Sequence, residues 1–387
     1  MSVSKSTDAS QPNSNNELLY SSLSSNVKLI RNTLGNSNDL IIREITIGKA
    51  EKHTIAIVYM DGLSDKTTIS DTVIDKLMLD LVEVNGSETD IETIHQYIKE
   101  SCLTAGDTNN ISHFSALYTA ILNGNTVILL DGCTFGIVTS TKGAKDREVT
   151  EPSTESVIRG PRESFTETLR TNTALIRRKI KSPNLWIKSR VVGEVTQTDI
   201  AVMYINGIAN DKIVAEVLAR IDRINIDGIL ESGYIEDFIQ DAKLTIFPTI
   251  YNSERPDVIA GELLDGKIAI LVDGTPFVLV VPALFTSFLQ SAEDYYQNWI
   301  VSSLIRLLRF LGISLALVAP SLYVAITTFH QEMLPTAMLI SIASQREGVP
   351  FPAVLKHLLW KLPLRYYEKQ VFECREPLDL LYPLWEP

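Results

Sequence analysis

The chain has 387 residues, 45% of them hydrophobic and 21% charged, with a net charge of −12. That acidic balance excludes a nucleic-acid partner, because no basic surplus is on hand to meet phosphate. Cys102, Cys133 and Cys374 have no paired spacing, which excludes a disulfide framework and a cysteine metal site and fits a reducing compartment.

Residues 1–18 are polar, open with MSVSKSTDASQPNSNN and lack an apolar core, so they read as a disordered tail rather than a secretory signal. Residues 17–34 set Leu23, Val27, Ile30 and Leu34 at helical spacing ahead of Gly35, which predicts a short amphipathic helix. From Leu40 the chain then repeats itself. LIIREITIGKAEKHTIAIVYMDGL, from Leu40, aligns without a gap on LWIKSRVVGEVTQTDIAVMYINGI, from Leu185, so that Gly48 falls on Gly193, Tyr59 on Tyr204 and Gly62 on Gly207. VILLDGCTFGIV, from Val127, aligns in the same way on AILVDGTPFVLV, from Ala269.

Two related α/β subdomains are therefore expected, over 19–141 and 185–290. Each reads as two strands closing on a turn, then helices, then a hairpin. The hairpin turns hold Asp131-Gly132 and Asp273-Gly274, pairs that accept the positive φ a tight turn requires. Apolar residues at helical spacing predict helices over 67–82 and 92–103 in the first subdomain and over 212–224 and 232–242 in the second.

Residues 142–184 read as a helical linker. Phe165, Leu169, Ile176 and Ile180 share one face, with Arg170, Arg177, Arg178, Lys179 and Lys181 mostly around them. A basic helix of this kind predicts contact with an anion or a membrane surface. The plainer expectation is a solvated helix that braces the two subdomains.

Residues 291–353 read as the start of an α-helical membrane region. Residues 310–329 are twenty in a row without a formal charge, which at about 1.5 Å per residue span a hydrocarbon core of about 30 Å. Pro320 sits mid-run and removes one backbone hydrogen bond, so Ser314, Ser321 or a neighbouring helix has to satisfy the freed carbonyl. A buried core helix is the competing reading, disfavoured by the missing polar face. Arg306 and Arg309 precede the run, and His330, Glu332 and Pro335 follow it. Positive-inside bias puts the N-terminal side in the cytoplasm. Those two arginines snorkel to headgroups or, if several copies assemble, face a water-filled path. His330-Gln331-Glu332 is the tempting cluster; its plainer reading is the polar cap of a membrane helix. Residues 334–343 read as a partly apolar re-entrant or interfacial segment.

No G-x-x-x-x-G-K-[ST], H-E-x-x-H, G-x-S-x-G or G-x-G-x-x-G occurs, so no catalytic, cofactor-binding or metal-ligating set is expected and the chain reads as non-enzymatic. The five histidines are scattered without ligand spacing. Asp61 and Asp131 are expected in turns, bonded to local backbone.

TESVIRGPRESFTETLRTN, SGYIEDFIQDAKLTIFPTIYNSERPDVIAGELLDGKIAILVDGTPFVLVVP, PSLYVAITTFHQEMLPT and QREGVPFP together resemble the A-subunit family of spore germinant receptors, the GerA type, over residues 19–353. The resemblance implies a cytoplasmic region of two α/β subdomains followed by a bundle of membrane helices in the inner membrane of a dormant spore. It implies B and C subunits as partners, a homo-oligomer that forms or gates an ion pathway, and surrounding lipid. Which germinant is sensed does not follow from it.

After Ala353 the chain departs from the family pattern. VLKHLLWKLPLRYYEKQVFECREPLDLLYPLWEP, residues 354–387, has no helical period and no second spanning segment. Codons allowed by these residues, read one frame over from the last base of Leu359, spell MEITFEILREAGVRMPRAVGSAVSIVGA, the kind of continuation the family has. A single-base deletion near Val354 is therefore expected, leaving an aberrant tail and an impaired receptor. The leading expectation is a membrane subunit that couples nutrient sensing to ion release. The alternative is a soluble module, tethered by one helix, that binds a small molecule in the cleft between its two α/β units.

Overall fold

The computed structural model describes residues 17–47, 53–75, 98, 108–143, 152, 155, 157, 159–241, 248–328, 330–333, 335, 337, 340, 341 and 344. The chain divides into two compact units, residues 1–296 and 297–387.

Two five-stranded antiparallel sheets build the first unit. In the first sheet the order is β1 (Leu40–Ile47), β2 (His53–Met60), β4 (Thr126–Leu130), β5 (Gly136–Thr139) and β3 (Thr108–Ile111). Strand β2 shows why it is central. Ala56, Val58 and Met60 face a core formed with α1 (Leu23–Thr33) and α3 (Phe114–Leu122), while Ile55, Ile57 and Tyr59 face Ile69, Val73 and Ile98 on the opposite side. Alternate residues of a strand point to opposite faces, so a strand apolar throughout must be covered on both. Ile69 and Val73 belong to a short helix, α2 (Lys66–Thr68), that continues as a wider π-turn over Ile69–Ile74.

The second half copies this plan. Its order is β6 (Leu185–Val192), β7 (Thr198–Ile205), β9 (Ile268–Val272), β10 (Val278–Val281) and β8 (Tyr251–Ser253). Ala201, Met203 and Ile205 pack with α4 (Leu169–Lys179) and α7 (Pro256–Leu264); Ile200, Val202 and Tyr204 pack with α5 (Asp211–Asp222) and α6 (Ser232–Ile239). The α/β class and the duplication expected from the sequence are both present.

The repeat reaches further back than the aligned strands. The Leu23 N–H at the start of α1 donates to Asp131 Oδ1 at 2.9 Å, and the Leu169 N–H at the start of α4 donates to Asp273 Oδ1 at 2.9 Å. Asn26 closes a ring with the backbone of Tyr20, and Asn172 closes the same ring with Thr166. Thus α4, read from sequence as a solvated linker helix, holds in the second half the place of α1 in the first. Asn172, Thr173, Ala174, Leu175, Ile176 and Arg177 are buried. Phe165 packs in the same core as Ile176 and Ile180, although it precedes the helix.

Other expectations are adjusted. Gly132 and Gly274 have φ of 88° and 89°, as an Asp-Gly turn requires, but β4 ends at Leu130 and β5 begins at Gly136, so the connection is a longer loop. The carboxylates of Asp131 and Asp61 leave their local backbone: the first caps a helix, and the second pairs with Lys66 at 3.0 Å and Arg170 at 2.9 Å. The chain is tied down from Glu17, whose carbonyl accepts from Phe114 N–H. Apart from Ile98, the helix predicted over 92–103 lies outside the described residues, as do 76–82 of that predicted over 67–82, 334–343 in large part and 354–387 entirely.

Within residues 297–387, α8 (Trp299–Thr328) is a single helix of 30 residues, about 45 Å long. The sequence placed its start at residue 310, because the absence of charge marks lipid-compatible length and not helix length. Leu, Ile and Arg continue a helix equally well, so Arg306 and Arg309 lie inside it. Asn298 opens it, with Oδ1 accepting the Ile300 N–H at 3.0 Å.

Candidate functional site

Three arrangements carry the chemistry of this chain: the seam between the two sheets, a polar knot at the end of the first unit, and the apolar helix. Each is built from residues distant in sequence.

At the seam, the turn that follows α1 covers the exposed edge of β6. The Ser37 hydroxyl accepts the Ile187 N–H at 3.0 Å, Trp186 Nε1 donates to the Thr33 carbonyl at 3.1 Å, and Lys188 Nζ donates to the Gly35 carbonyl at 2.6 Å. An uncovered strand edge is a template for unwanted pairing, and this contact removes it. Gly35 is required here: its φ is +64°, and a Cβ would lie 2.1 Å from the Trp186 ring. Behind the seam Arg177 donates from Nε and Nη2 to the two oxygens of Asp39, at 2.8 and 3.1 Å. Two further basic residues of α4 make such pairs, Lys179 on Glu163 and Arg170 on Asp61. Lys181, just beyond the helix, donates to Asn123 Oδ1.

The knot forms around Arg255, which is 1% exposed. Its Nη1 donates to the Glu155 carbonyl at 3.1 Å, and its Nη2 to the Pro161 carbonyl at 3.0 Å and to Asp257 Oδ2 at 2.7 Å. Tyr296 donates its hydroxyl to the same Asp257 oxygen at 2.5 Å, and Ser253 donates to Glu155 Oε2 at 2.6 Å. Pro256 explains the local shape, since its fixed φ suits the first position of α7 and leaves Asp257 in the positive first turn. Burial, then the hydrogen bond and charge of Asp257, push the Tyr296 phenol up to about 12. Burial pushes Tyr251 up too, helped by Glu155 and Glu262, and burial raises Glu155 itself. Tyr296 is the last residue of the first unit, so the knot fastens the chain shortly before α8 begins.

The apolar helix carries the membrane residues expected from sequence. Trp299–Tyr323 is long and apolar enough to cross a membrane; an 18-residue stretch within it has a mean hydropathy of 1.8 and is only 6% buried, against the buried-core reading. Arg306 and Arg309 lie in the N-terminal half, partly covered, and Pro320 lies inside the helix. The Ser321 hydroxyl donates to the Val318 carbonyl at 2.8 Å and so does not reach the carbonyl four residues before Pro320. The His330 N–H donates to the Ala325 carbonyl at 3.1 Å, and Gln331–Met333 forms a turn, with Glu332 and Pro335 exposed. That is the geometry of a helix cap. Arg306 and His330 are separated by roughly 36 Å of helix, so these residues form two ends and not one site.

Sequence reasoning missed Asp39, Glu155, Arg255, Asp257 and Tyr296. Only Pro256 between two opposite charges hinted at the knot, as a helix start. Among the described residues no group of three or more His, Cys, Asp or Glu is set to hold a metal ion.

Spore germination protein KA of Bacillus subtilis (strain 168) is 48% identical over 343 residues, which cover 88% of this chain and 62% of that protein. The chain therefore spans less than two thirds of that relative's length. GerLA, a spore germination protein of Bacillus cereus, is 36% identical over 352 residues, covering 91% of this chain and 70% of that one. The crystal structure of the N-terminal domain of the A subunit of the Bacillus megaterium spore germinant receptor GerK3 superposes with a TM-score of 0.56 at 41% identity, covering 70% of this chain and 98% of that domain. The model of the Bacillus/Clostridium GerA spore germination protein family matches residues 28–365, and the chain belongs to that family.

Proposed function

We propose that this chain is the A subunit of a spore germinant receptor, that α8 crosses the inner membrane of the spore with residues 1–296 on the cytoplasmic side, and that the subunit couples nutrient sensing to ion release without covalent chemistry. The observation that carries the reading is the family match over residues 28–365, supported by the nearly complete coverage of the GerK3 A-subunit domain. Receptor B and C subunits and further copies of this chain are its partners, and lipid surrounds the helix. In this reading residues 19–141 and 185–290 supply the sheets of the two cytoplasmic subdomains, and the segment 142–184 between them contributes α4 to the second.

Arg306 and Arg309 then mark the cytoplasmic border, Pro320 the point where a neighbouring helix docks, and His330, Glu332 and Pro335 the outer turn. Residues 354–387 are read as out-of-frame sequence. Resequencing across the Val354 codon tests that part, and an uninterrupted frame through Pro387 sinks it. The function itself is tested in spores lacking the gene, given either this chain or one with the family-type continuation after Ala353. Germination and potassium release should return with the second chain. If it restores neither, the proposal is wrong.

A further inference from the structure

The stretch that leads from the second sheet toward α8 leaves its large apolar side chains in the open. Strand β10 ends at Val281, and a short 3-10 turn, Phe285–Leu289, follows. The turn is pinned from beneath: Ser287 and Leu289 are buried, the Ser287 hydroxyl accepts from Lys267 Nζ at 2.8 Å, and the Phe288 ring meets Tyr251 edge-on at 5.6 Å. Leu284 and Phe285 are nevertheless 58% exposed each, and Phe288 is exposed as well. Leu264 and Tyr295, both exposed, line one groove with Ser287 and Tyr251 and so extend the same surface. Single apolar side chains on a surface need no explanation, but a group of them on one face marks a place of contact.

The duplication supplies a control. When the register that sets Ala269 on Val127 is carried forward, Leu284, Phe285 and Phe288 fall on Lys142, Gly143 and Asp146 of the first half. The same place is polar in the half whose chain runs on into α4 and apolar in the half whose chain runs on into α8.

What covers the apolar version follows from where the chain goes next. Tyr296 is held by Asp257, and α8 opens three residues later at Trp299, a reach of about 11 Å at most. Trp299–Ile305 carries no charge, and at about 1.5 Å per residue it spans a depth on the order of the headgroup layer before Arg306 is reached. The covalent tether therefore holds this face of the first unit near the level of the headgroups. Composition agrees: residues 282–305 contain no lysine or arginine to attract an acidic protein, while Phe, Leu, Tyr and Trp are the side chains that settle at a membrane interface.

We propose that Leu264, Leu284, Phe285, Phe288 and Tyr295 form a docking face for the bilayer interface, set among the lipids of the leaflet that α8 enters. This rests on the reading of α8 as a membrane helix and goes beyond it, because it gives the sheet-bearing unit its own hold on lipid. With no basic residue in the segment, that hold is apolar and indifferent to ionic strength.

The test is tryptophan emission from the full chain in lipid nanodiscs, with Trp299, Trp360 and Trp385 changed to phenylalanine and the emission of Trp186 subtracted. Phe285→Trp exchanges one exposed ring for another, and Leu284→Trp repeats the reading at the neighbouring position. Lipids brominated on the upper acyl chain should quench both by about twofold or more, since an interfacial side chain lies roughly 5–10 Å into that boundary. Added salt should leave the quenching unchanged. Val195→Trp, on the exposed turn between β6 and β7, should escape it; quenching there equal to that at 285 would overturn the docking face. Leu315→Trp, inside α8, separates this proposal from the reading it rests on. Quenching at 315 with none at 284 or 285 would sink the docking face and leave the membrane helix standing, whereas none at 315 would sink both. Emission at 285 that ignores bromine but changes with the number of copies per disc would assign the face to a second copy of the chain and refute the lipid assignment.

Discussion

Replacing Arg177 by methionine should loosen the seam by about 3–4 kcal/mol. Both partners are taken out of water, at 1% exposed for Arg177 and 9% for Asp39, and two charge-assisted hydrogen bonds of 2.8 and 3.1 Å join them. Two such bonds at about 1.5–3 kcal/mol each give roughly 3–6 kcal/mol, and breaking a buried pair from one side costs about 3–5 kcal/mol. Arg177 Nη1 is buried without a partner among the described residues, and methionine removes that cost, which moves the expectation toward the lower half of the range. The measurement is denaturant unfolding of the full chain in micelles, followed by Trp186 emission with Trp299, Trp360 and Trp385 changed to phenylalanine. Trp186 reports the seam directly through its bond to Thr33. Adding Asp39→Asn to Arg177→Met should recover about 1–3 kcal/mol, because it neutralises the stranded carboxylate. A loss below about 1 kcal/mol, or strict additivity of the two changes within about 0.5 kcal/mol, would refute the pairing argument.

Asp131→Ala and Asp273→Ala should each cost about 1 kcal/mol, the usual worth of a helix cap, and should agree within about 0.5 kcal/mol by the same titration; a cost at only one of them contradicts the equivalence of α1 and α4. Gly35→Ala should lose about 1–2 kcal/mol from its left-handed backbone alone, and the displaced indole should shift its emission to the red; an unshifted spectrum argues against the contact. Glu155 has a folded-state pKa raised by burial, so the folded protein holds its proton longer than the unfolded chain. Stability should therefore decline as pH rises from the ordinary glutamate range through that raised value, and Glu155→Gln should flatten the decline while matching the parent at low pH. Identical pH slopes for the two proteins would remove Glu155 from the account.

The two sheets were legible because their strands advertise themselves in both copies. Ala56, Val58 and Met60 alternate with Ile55, Ile57 and Tyr59, and the same pattern recurs from Ile200 to Ile205. The helix from Leu23 was legible from its apolar spacing and from the glycine that stops it. Three-residue β8 and four-residue β3 were not, since so short a strand has no period to detect and exists only because β10 and β5 offer an edge. Arg177 was misread for a different reason. A charged residue on a helix is assumed to face water, and nothing local announces an aspartate 138 positions away. The knot was hidden in the same way, with Glu155, Arg255 and Tyr296 brought together only by the completed sheet. Sequence periodicity reports which side of an element is apolar; it does not report which distant polar group will satisfy a buried one.

The caps supplied by Asp131 and Asp273 also set an order of events during synthesis. Each lies more than a hundred residues downstream of the helix it caps, separations of 108 and 104. The helix made first in each half is therefore finished last, and it waits on the ribosome for its hairpin to emerge. The first half can close before the second has been translated, and the turn it presents, with Ser37 and Asp39 in place, is then ready when β6 and Arg177 arrive. A chain stalled between residues 180 and 272 would carry one closed half beside an open one whose leading helix has nothing to cap it.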